Sequence, residues 1–395
     1  MRILLINTYY YPEIIGGAEI SVKKLAEGLV LKGHDVFVIA NGKNKIEEIN
    51  KVKIYRLPFV KFNNIKVVGN IYRKISSINN IFFKSSLKNL VKEIKPDVIH
   101  VNNLYYISPI IWSIGKQINI PIIQTIRDYY LTCPKSTLLC DGEKCNTKMS
   151  ICKLYNYLNK IKFKDVDIIT APSNFTLNLF KNENLIDEKK SICIYNSIDI
   201  LKEDEKIISI RKERKNNLNF KLVYLGALVK HKGIRELIDV FNDIKVNNIE
   251  LHIAGDGEEK DFVEKHSLSD KRIKYHGKLN EKEVQKLLQN SDILIAPSIW
   301  YEPFGRVIID AYKFGLPVIA SNLGGLSEIV RNEETGLLIN VKNKNEFIEA
   351  IYKMLNKEKI FQMSMNSLTF VKNFDISKQI DKFEEVYLAL KNKLR

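Results

Sequence analysis

The 395-residue chain is short of the features that would narrow its class at once. Five cysteines in such a length cannot build a disulfide scaffold. Four of them, Cys133, Cys140, Cys145 and Cys152, share one stretch, but none of the pairs has the short C-x2-C spacing of a zinc site. Reduced thiols are expected there, with a structural zinc as the alternative. No uninterrupted apolar run reaches the roughly 18 residues that cross a bilayer. The opening "MRILLINTYYYPE" carries one basic residue and reads as a first strand rather than a signal peptide, so the expected location is the cytoplasm. Neither G-x-G-x-x-G nor a Walker lysine loop occurs, which weakens nicotinamide-binding and P-loop readings.

Acid is also in deficit. There are 62 Lys and Arg against 46 Asp and Glu, a formal charge of +16. The excess is uneven: Lys61, Lys66, Arg73, Lys74, Lys84, Lys88, Lys92 and Lys95 meet only Glu93 across 61–95. Ile71, Tyr72, Ile75, Ile78, Ile81, Phe82 and Phe83 lie between them. That mixture suits peripheral contact with anionic lipid at the inner face of the cell membrane. No nucleic-acid motif accompanies it, so nucleic acid is not an expected partner. A merely solvated basic face is the competing reading.

What the chain does have is alternation. "RILLIN", "HDVFVIA", "PDVIHVN", "IPIIQTI", "DIITAPS" and "ICIYNS" are short β-branched runs separated by helical stretches. A charged segment over 199–219 follows, and then a second series: "FKLVYLG", "IELHIAG", "RIKYHG", "DILIAPS", "LPVIAS" and "TGLLIN". Buried strands separated by helices argue for parallel sheets. The pattern predicts an α/β fold of two doubly wound, Rossmann-like domains facing across a cleft. The first domain spans 1–198, the linker 199–219 and the second domain 220–372. A C-terminal helix over 373–395 has a stripe of Ile376, Ile380, Phe383, Tyr387, Leu390 and Leu394, and is expected to pack across the junction.

Ligands of open parallel sheets bind beyond the carboxyl ends of the strands, so the loops there matter most. After the first strand, Gly16 and Gly17 open a helix and offer backbone N–H groups to an anion. After "FKLVYLG", Lys232 precedes Gly233 at a helix start, where it can neutralise phosphate. After "DILIAPS" comes "WYEPFGRVIIDAY", with Glu302 in a turn and Asp310 farther on. Acids accept hydrogen bonds from vicinal hydroxyls. Lysine and glycine on phosphate, with acids on hydroxyls, describe a nucleotide-sugar. Asp165 and Asp167 form a D-x-D that more readily caps a helix end than holds a metal.

"GGAE", "APSNFT", "KGIRELI", "IAGDGE", "PSIWYEPFGRVIIDAYKFGLPVIASNLGGLSEIV" and "TGLLI" together resemble the retaining glycosyltransferases of family 4, which have the GT-B fold. The resemblance spans nearly the whole chain and is most specific over 297–339. It implies hexosyl transfer from a UDP- or GDP-sugar to a glycan hydroxyl, lipid-linked, in bacterial surface polysaccharide synthesis. A nucleotide-sugar epimerase and a non-catalytic sugar-binding protein are the alternatives. By this likeness Glu302 takes the donor sugar's hydroxyls and Asp310 the ribose, while Gly16, Gly17 and Lys232 take the diphosphate. Phe304, Gly305 and Arg306 complete the donor set. Glu302, Lys232 and Asp128 are the implied catalytic residues, and neither cofactor nor metal is expected. The chain departs from the family pattern in two places. Gly226-Ala227 stands where an Arg usually binds diphosphate, a charge that Arg306 or Lys230 could replace. Arg127 stands where a His usually faces the sugar. His100, ending "DVIH", is the further acceptor-side candidate.

Overall fold

A computed structural model describes residues 1–59, 83–104, 107–140, 143–145, 150–201 and 204–393. Most of the basic stretch over 61–95 therefore lies outside the described residues. The chain divides into two compact units. One comprises 1–138, 145–197 and 376–395; the other comprises 139–144 and 198–375.

The first unit alternates β1 (Arg2–Ile6), α1 (Gly17–Leu31), β2 (Asp35–Asn41), β3 (Lys45–Ile49), β4 (Val52–Leu57), α2 (Lys84–Ile94), β5 (Val98–Val101), α3 (Ile110–Gln117) and β6 (Ile122–Thr125). A small hairpin, β7 (Leu139–Cys140) and β8 (Glu143–Lys144), is grouped with the other unit. Then come α4 (Ser150–Phe163), β9 (Ile168–Ala171), α5 (Asn174–Asn182) and β10 (Ser191–Cys193). Among the described residues the sheet order is β10-β9-β6-β5-β1-β2-β4-β3, parallel except for β3 against β4. "ILLI" of β1 and "VIHV" of β5 are buried throughout, as β-branched strands covered on both faces should be. The order turns at β1, which has β2 on one side and β5 on the other. The loops after β1 and β5 thus flank a topological switch point.

The second unit repeats the plan with α6 (Asp204–Lys215), β11 (Phe220–Leu225), α7 (Ile234–Asp243), β12 (Ile249–Ala254), α8 (Lys260–Ser269), β13 (Ile273–Tyr275), α9 (Glu281–Gln289), β14 (Ile293–Ala296), α10 (Arg306–Tyr312), β15 (Val318–Ser321), α11 (Leu326–Ile329), β16 (Gly336–Ile339), α12 (Lys344–Met354) and α13 (Lys357–Phe370). Its sheet runs β13-β12-β11-β14-β15-β16, all parallel. Here the switch point lies between β11 and β14.

Two expectations change. The charged stretch over 199–219, expected as a connection, contains α6, which belongs to the second unit. Arg211 on α6 is buried and donates to the Ser291 carbonyl at 2.6 Å, and Arg214 pairs with Asp292. The C-terminal helix α14 (Ile376–Lys393), expected across the junction, completes the first unit. Ile380, Phe383, Tyr387 and Leu390 enter the same core as Val22, Leu25 and Leu29 of α1. A Cβ at Gly28 would lie 2.0 Å from Ile380, so the bare glycine is what lets the helices approach.

Candidate functional site

The second unit brings its two marked loops together across the β11/β14 switch point. Lys232 ends a short 3-10 turn, and its Nζ lies 2.5 Å from Glu302 Oε1. Ser298 Oγ donates to the same oxygen at 2.7 Å. The Ile299 N–H donates to the His231 carbonyl at 3.0 Å, which ties the loop backbones to each other. Lys232 Nζ also stands 5.2 Å over the Trp300 ring. Burial raises the affinity of Glu302 for a proton, but the charge and hydrogen bond of Lys232, with Ser298, outweigh it and hold the carboxyl below its usual range. Glu302 is therefore an anion and an acceptor. Burial, and then the Lys232 charge, lower the His231 imidazole, which stays neutral near pH 7.

Backbone geometry fixes this pair. Gly233 has φ +73°, and a Cβ on it would fall 1.8 Å from the Pro297 carbonyl oxygen. Gly324 has φ +64°, and a Cβ there would meet the Glu302 N and O at 2.7 Å. The next N–H, of Gly325, donates to the Glu302 carbonyl at 2.7 Å. "NLGGLSE" therefore buttresses the turn that presents Glu302. Phe304 is buried at 2% exposure against Phe374, so its side chain belongs to the core. Gly305, at φ +91°, caps α10, on which Arg306 Nε and Asp310 Oδ2 are 3.7 Å apart. At the Ala227 position the loop closes on itself, with the Tyr224 hydroxyl donating to the Ala227 carbonyl at 2.9 Å.

The first unit has a parallel construction at its own switch point. Thr8, after β1, donates through Oγ1 to Asn103 Oδ1 at 2.6 Å, and Asn103 Nδ2 donates to Asp128 Oδ2 at 3.0 Å. The Tyr130 N–H donates to the other Asp128 oxygen at 2.8 Å. Burial pushes the Asp128 carboxyl up to about 6 against these bonds, and the Glu19 charge adds to the rise. Arg127 donates to Asn102 Oδ1 at 2.8 Å and to Asn196 Oδ1 at 2.5 Å, a fork held by two amides. Arg127, Asp128, Asn102 and Asn103 line a small recess of about 10 Å³, room for roughly one water. Gly17 begins α1, and the Gly16 N–H already donates to the buried Glu19 carboxylate at 2.8 Å.

Some expectations need correction. His100 does not face solvent: it is fully buried, with Nδ1 2.7 Å from the Tyr387 hydroxyl and Nε2 2.6 Å from Thr125 Oγ1. Burial, followed by the Arg127 charge, lowers its pKa well below the usual value, so it is a neutral core histidine. Asp165 and Asp167 accept from Ser113 Oγ at 3.1 Å and the Ile122 N–H at 2.8 Å, two separate structural tasks. Cys133, Cys140, Cys145 and Cys152 are each partly exposed and in no disulfide among the described residues, as the expectation of reduced thiols has it. Among the described residues no three His, Cys, Asp or Glu side chains are grouped as metal ligands. Residues that the sequence did not single out, Ser298, Gly324, Glu19, Asn102 and Asn103, prove to be the partners that hold the marked ones.

Residues 15–201 match the family model described as Glycosyltransferase Family 4, and residues 205–383 match Glycosyl transferases group 1. A 42.6 kDa protein of the cps region of Klebsiella pneumoniae is 30% identical, over 84% of this chain and 88% of its own length. The UDP-Gal:alpha-D-GlcNAc-diphosphoundecaprenol alpha-1,3-galactosyltransferase of Escherichia coli is 24% identical, over 82% and 83% of the two chains. Among solved structures, sucrose-phosphate synthase from Thermosynechococcus elongatus superposes with a TM-score of 0.77 at 20% identity, covering 98% of both chains. Anabaena HepE in complex with UDP gives 0.73 at 18%, covering 98% of this chain and 100% of that one. At these identities the solved structures establish a shared fold, the GT-B arrangement of glycosyltransferases.

Proposed function

The chain belongs to glycosyltransferase family 4, and from that premise we propose that it is a retaining enzyme using a nucleoside-diphosphate sugar. The observation that carries this reading is the Lys232–Ser298–Glu302 cluster at the β11/β14 switch point. A buried anionic carboxylate suits vicinal sugar hydroxyls, and a lysine beside it suits the diphosphate. Asp310 takes the ribose. In the transfer the acceptor oxygen bonds to the anomeric carbon on the face that the diphosphate leaves. The anomeric carbon–phosphate oxygen bond breaks, and a donor phosphate oxygen takes the acceptor's proton. Lys232 stabilises the charge that builds on the departing diphosphate, so the protein contributes positioning and preorganised electrostatics. No metal ion or cofactor is required on this reading.

The acceptor is a lipid-linked glycan in surface polysaccharide synthesis. Support comes from the cps-region relative and from the E. coli relative, whose name states a diphosphoundecaprenol acceptor. No helix among the described residues is long and apolar enough to cross a membrane. Access to such an acceptor would then be peripheral. The test is turnover of labelled UDP- and GDP-sugars with and without membrane lipid extract, in excess EDTA. We expect lipid-dependent transfer with retained anomeric configuration that EDTA leaves unchanged. Inversion, or activity lost to EDTA and restored by magnesium or manganese, would overturn the corresponding part.

A further inference from the structure

The short 3-10 turn that carries Lys232 also presents a histidine whose ring makes no hydrogen bond. His231 stands one residue before Lys232, and the Ile299 N–H on its carbonyl at 3.0 Å fixes the backbone there. The His231 ring meets the Trp300 indole edge to face, with centroids 5.1 Å apart, and Lys232 Nζ lies 5.2 Å over the same indole. The two side chains therefore share one aromatic neighbour. The imidazole is half-buried, and neither nitrogen has a partner among the described residues. Neither is among the closed, unpartnered atoms of the interior, so both stay open to solvent or to a ligand. Charge at this place is nearly balanced before a ligand arrives. Lys232 is paired with Glu302, and Arg306 faces Asp310 at 3.7 Å. A doubly ionised diphosphate brought to Lys232 would meet a neutral pair, and a desolvated anion without a further cation is costly.

We propose that His231 is a further donor-binding residue, holding the diphosphate as an imidazolium that takes its proton from solvent when the nucleotide-sugar arrives. This rests on the reading of Lys232 as the diphosphate contact. In the empty site the ring is neutral. Burial is the first cause and the Lys232 charge the second, while Glu302 after β14 and Glu258 after β12 pull the other way. Exposed Lys230 precedes the ring on the same turn. A diphosphate beside Lys232 offsets the charge that keeps the proton off and adds its own attraction for it. Both changes favour the imidazolium, so binding and proton uptake are linked. The imidazolium donates from both nitrogens, where the neutral ring donates from one, and its bonds to an anion are charge-assisted. The empty ring titrates below its usual value and the occupied ring higher, so affinity for the nucleotide-sugar rises as pH falls between those two points.

The experiment is calorimetric titration of the whole chain with UDP-glucose and with GDP-mannose at constant ionic strength, in buffers of differing ionisation enthalpy. A diphosphate esterified at both ends has no proton to lose near neutrality, whereas a terminal phosphate titrates at ~6 and would confuse the count. The parent should take up part of a proton on binding. It should also bind at least about fivefold more tightly at about pH 5.5 than at about pH 7.5, the range in which histidine titrates. His231→Gln keeps a hydrogen-bonding side chain that cannot be charged, so its affinity should stay within about twofold over that range, with the uptake lost. His231→Arg carries a permanent cation and should bind at the higher pH as tightly as the parent does at the lower, again without uptake. A histidine with only a packing role would give no such rescue. Lys232-dependent binding that takes up no proton, or takes up as much in either variant, overturns the proposal and leaves the reading of the donor site standing. No saturable binding of either probe, or binding indifferent to Lys232→Ala, overturns that reading and the proposal with it.

Discussion

Glu302 is held from three sides within its own unit, by Lys232, by Ser298 and by the backbone of Gly324–Gly325. Glu302→Gln keeps its shape and removes the charge. A hydrogen bond to a charged acceptor contributes about 1.5–3 kcal/mol, so purified mutant enzyme should lose roughly 10- to 100-fold in transfer rate. Full activity would remove Glu302 from the proposed mechanism. Asp128 makes a different prediction. Its carboxyl ionises near 6 when folded and near 3.8 when exposed, so the folded chain holds an extra proton between those values. Its contribution to stability is therefore greatest below about pH 4 and is lost as pH rises through 6. Asp128→Asn should gain in melting temperature relative to the parent from pH 4 to 7; parallel curves would contradict the burial argument. Glu302 and Lys232 were legible in the sequence because each sits beside a glycine turn after a β-branched run. Ser298 and Gly324 were not, since their meaning depends on contacts that the fold alone creates. His100 was misplaced for a simpler reason: a strand-end residue points to either face, and the string "DVIHV" does not say which.

Single elements were easier to find than to assign. The parallel strands came through because each is a short, wholly apolar run between turn signals. α6 was hidden by its own charge: in "DEKIISIRKERK" only Ile207 and Arg211 are buried, too few for a visible apolar stripe. α14 showed its stripe clearly, but nothing local could tell which unit it covers. The 3-10 turn before α7 makes the element-scale prediction. Gly233→Ala puts a side chain in left-handed backbone, at about 1–2 kcal/mol, and 1.8 Å from the Pro297 carbonyl. The turn must shift, and Lys232 with it, while the sheet beneath is untouched. We expect at least tenfold weaker donor binding by calorimetry with the circular-dichroism spectrum of the fold retained. Unchanged donor affinity would show that the register of Lys232 against Glu302 does not matter.

At the scale of the molecule the dominant quantity is charge, +16 overall, and it coincides with exposed apolar surface on the first unit. Helix α4 shows Leu154, Tyr157 and Ile161 at 57%, 61% and 46% exposure, spaced to share one face. Its sequence "SICKLYNYLNKIKF" has lysines and no acid at all. An exposed apolar stripe among lysines suits the headgroup boundary of an anionic bilayer. Helix α2 adds Lys84, Lys88 and Lys92 to the basic run that begins at Lys61. Each Lys or Arg near an anionic surface contributes about 1 kcal/mol, and salt screens it within roughly 10 Å at 0.1 M. The chain should therefore sediment with anionic vesicles, poorly with neutral ones, and less as salt rises. Arg73, Lys74, Lys84 and Lys88 changed together to Ser should weaken binding and flatten its salt dependence. Leu154, Tyr157 and Ile161 changed to Ser should weaken it while leaving the salt slope steep, because that term is apolar. Donor hydrolysis, assigned to the second unit, should survive both sets. If both variants sediment like the parent, neither surface meets lipid, and the acceptor must reach the enzyme by another route.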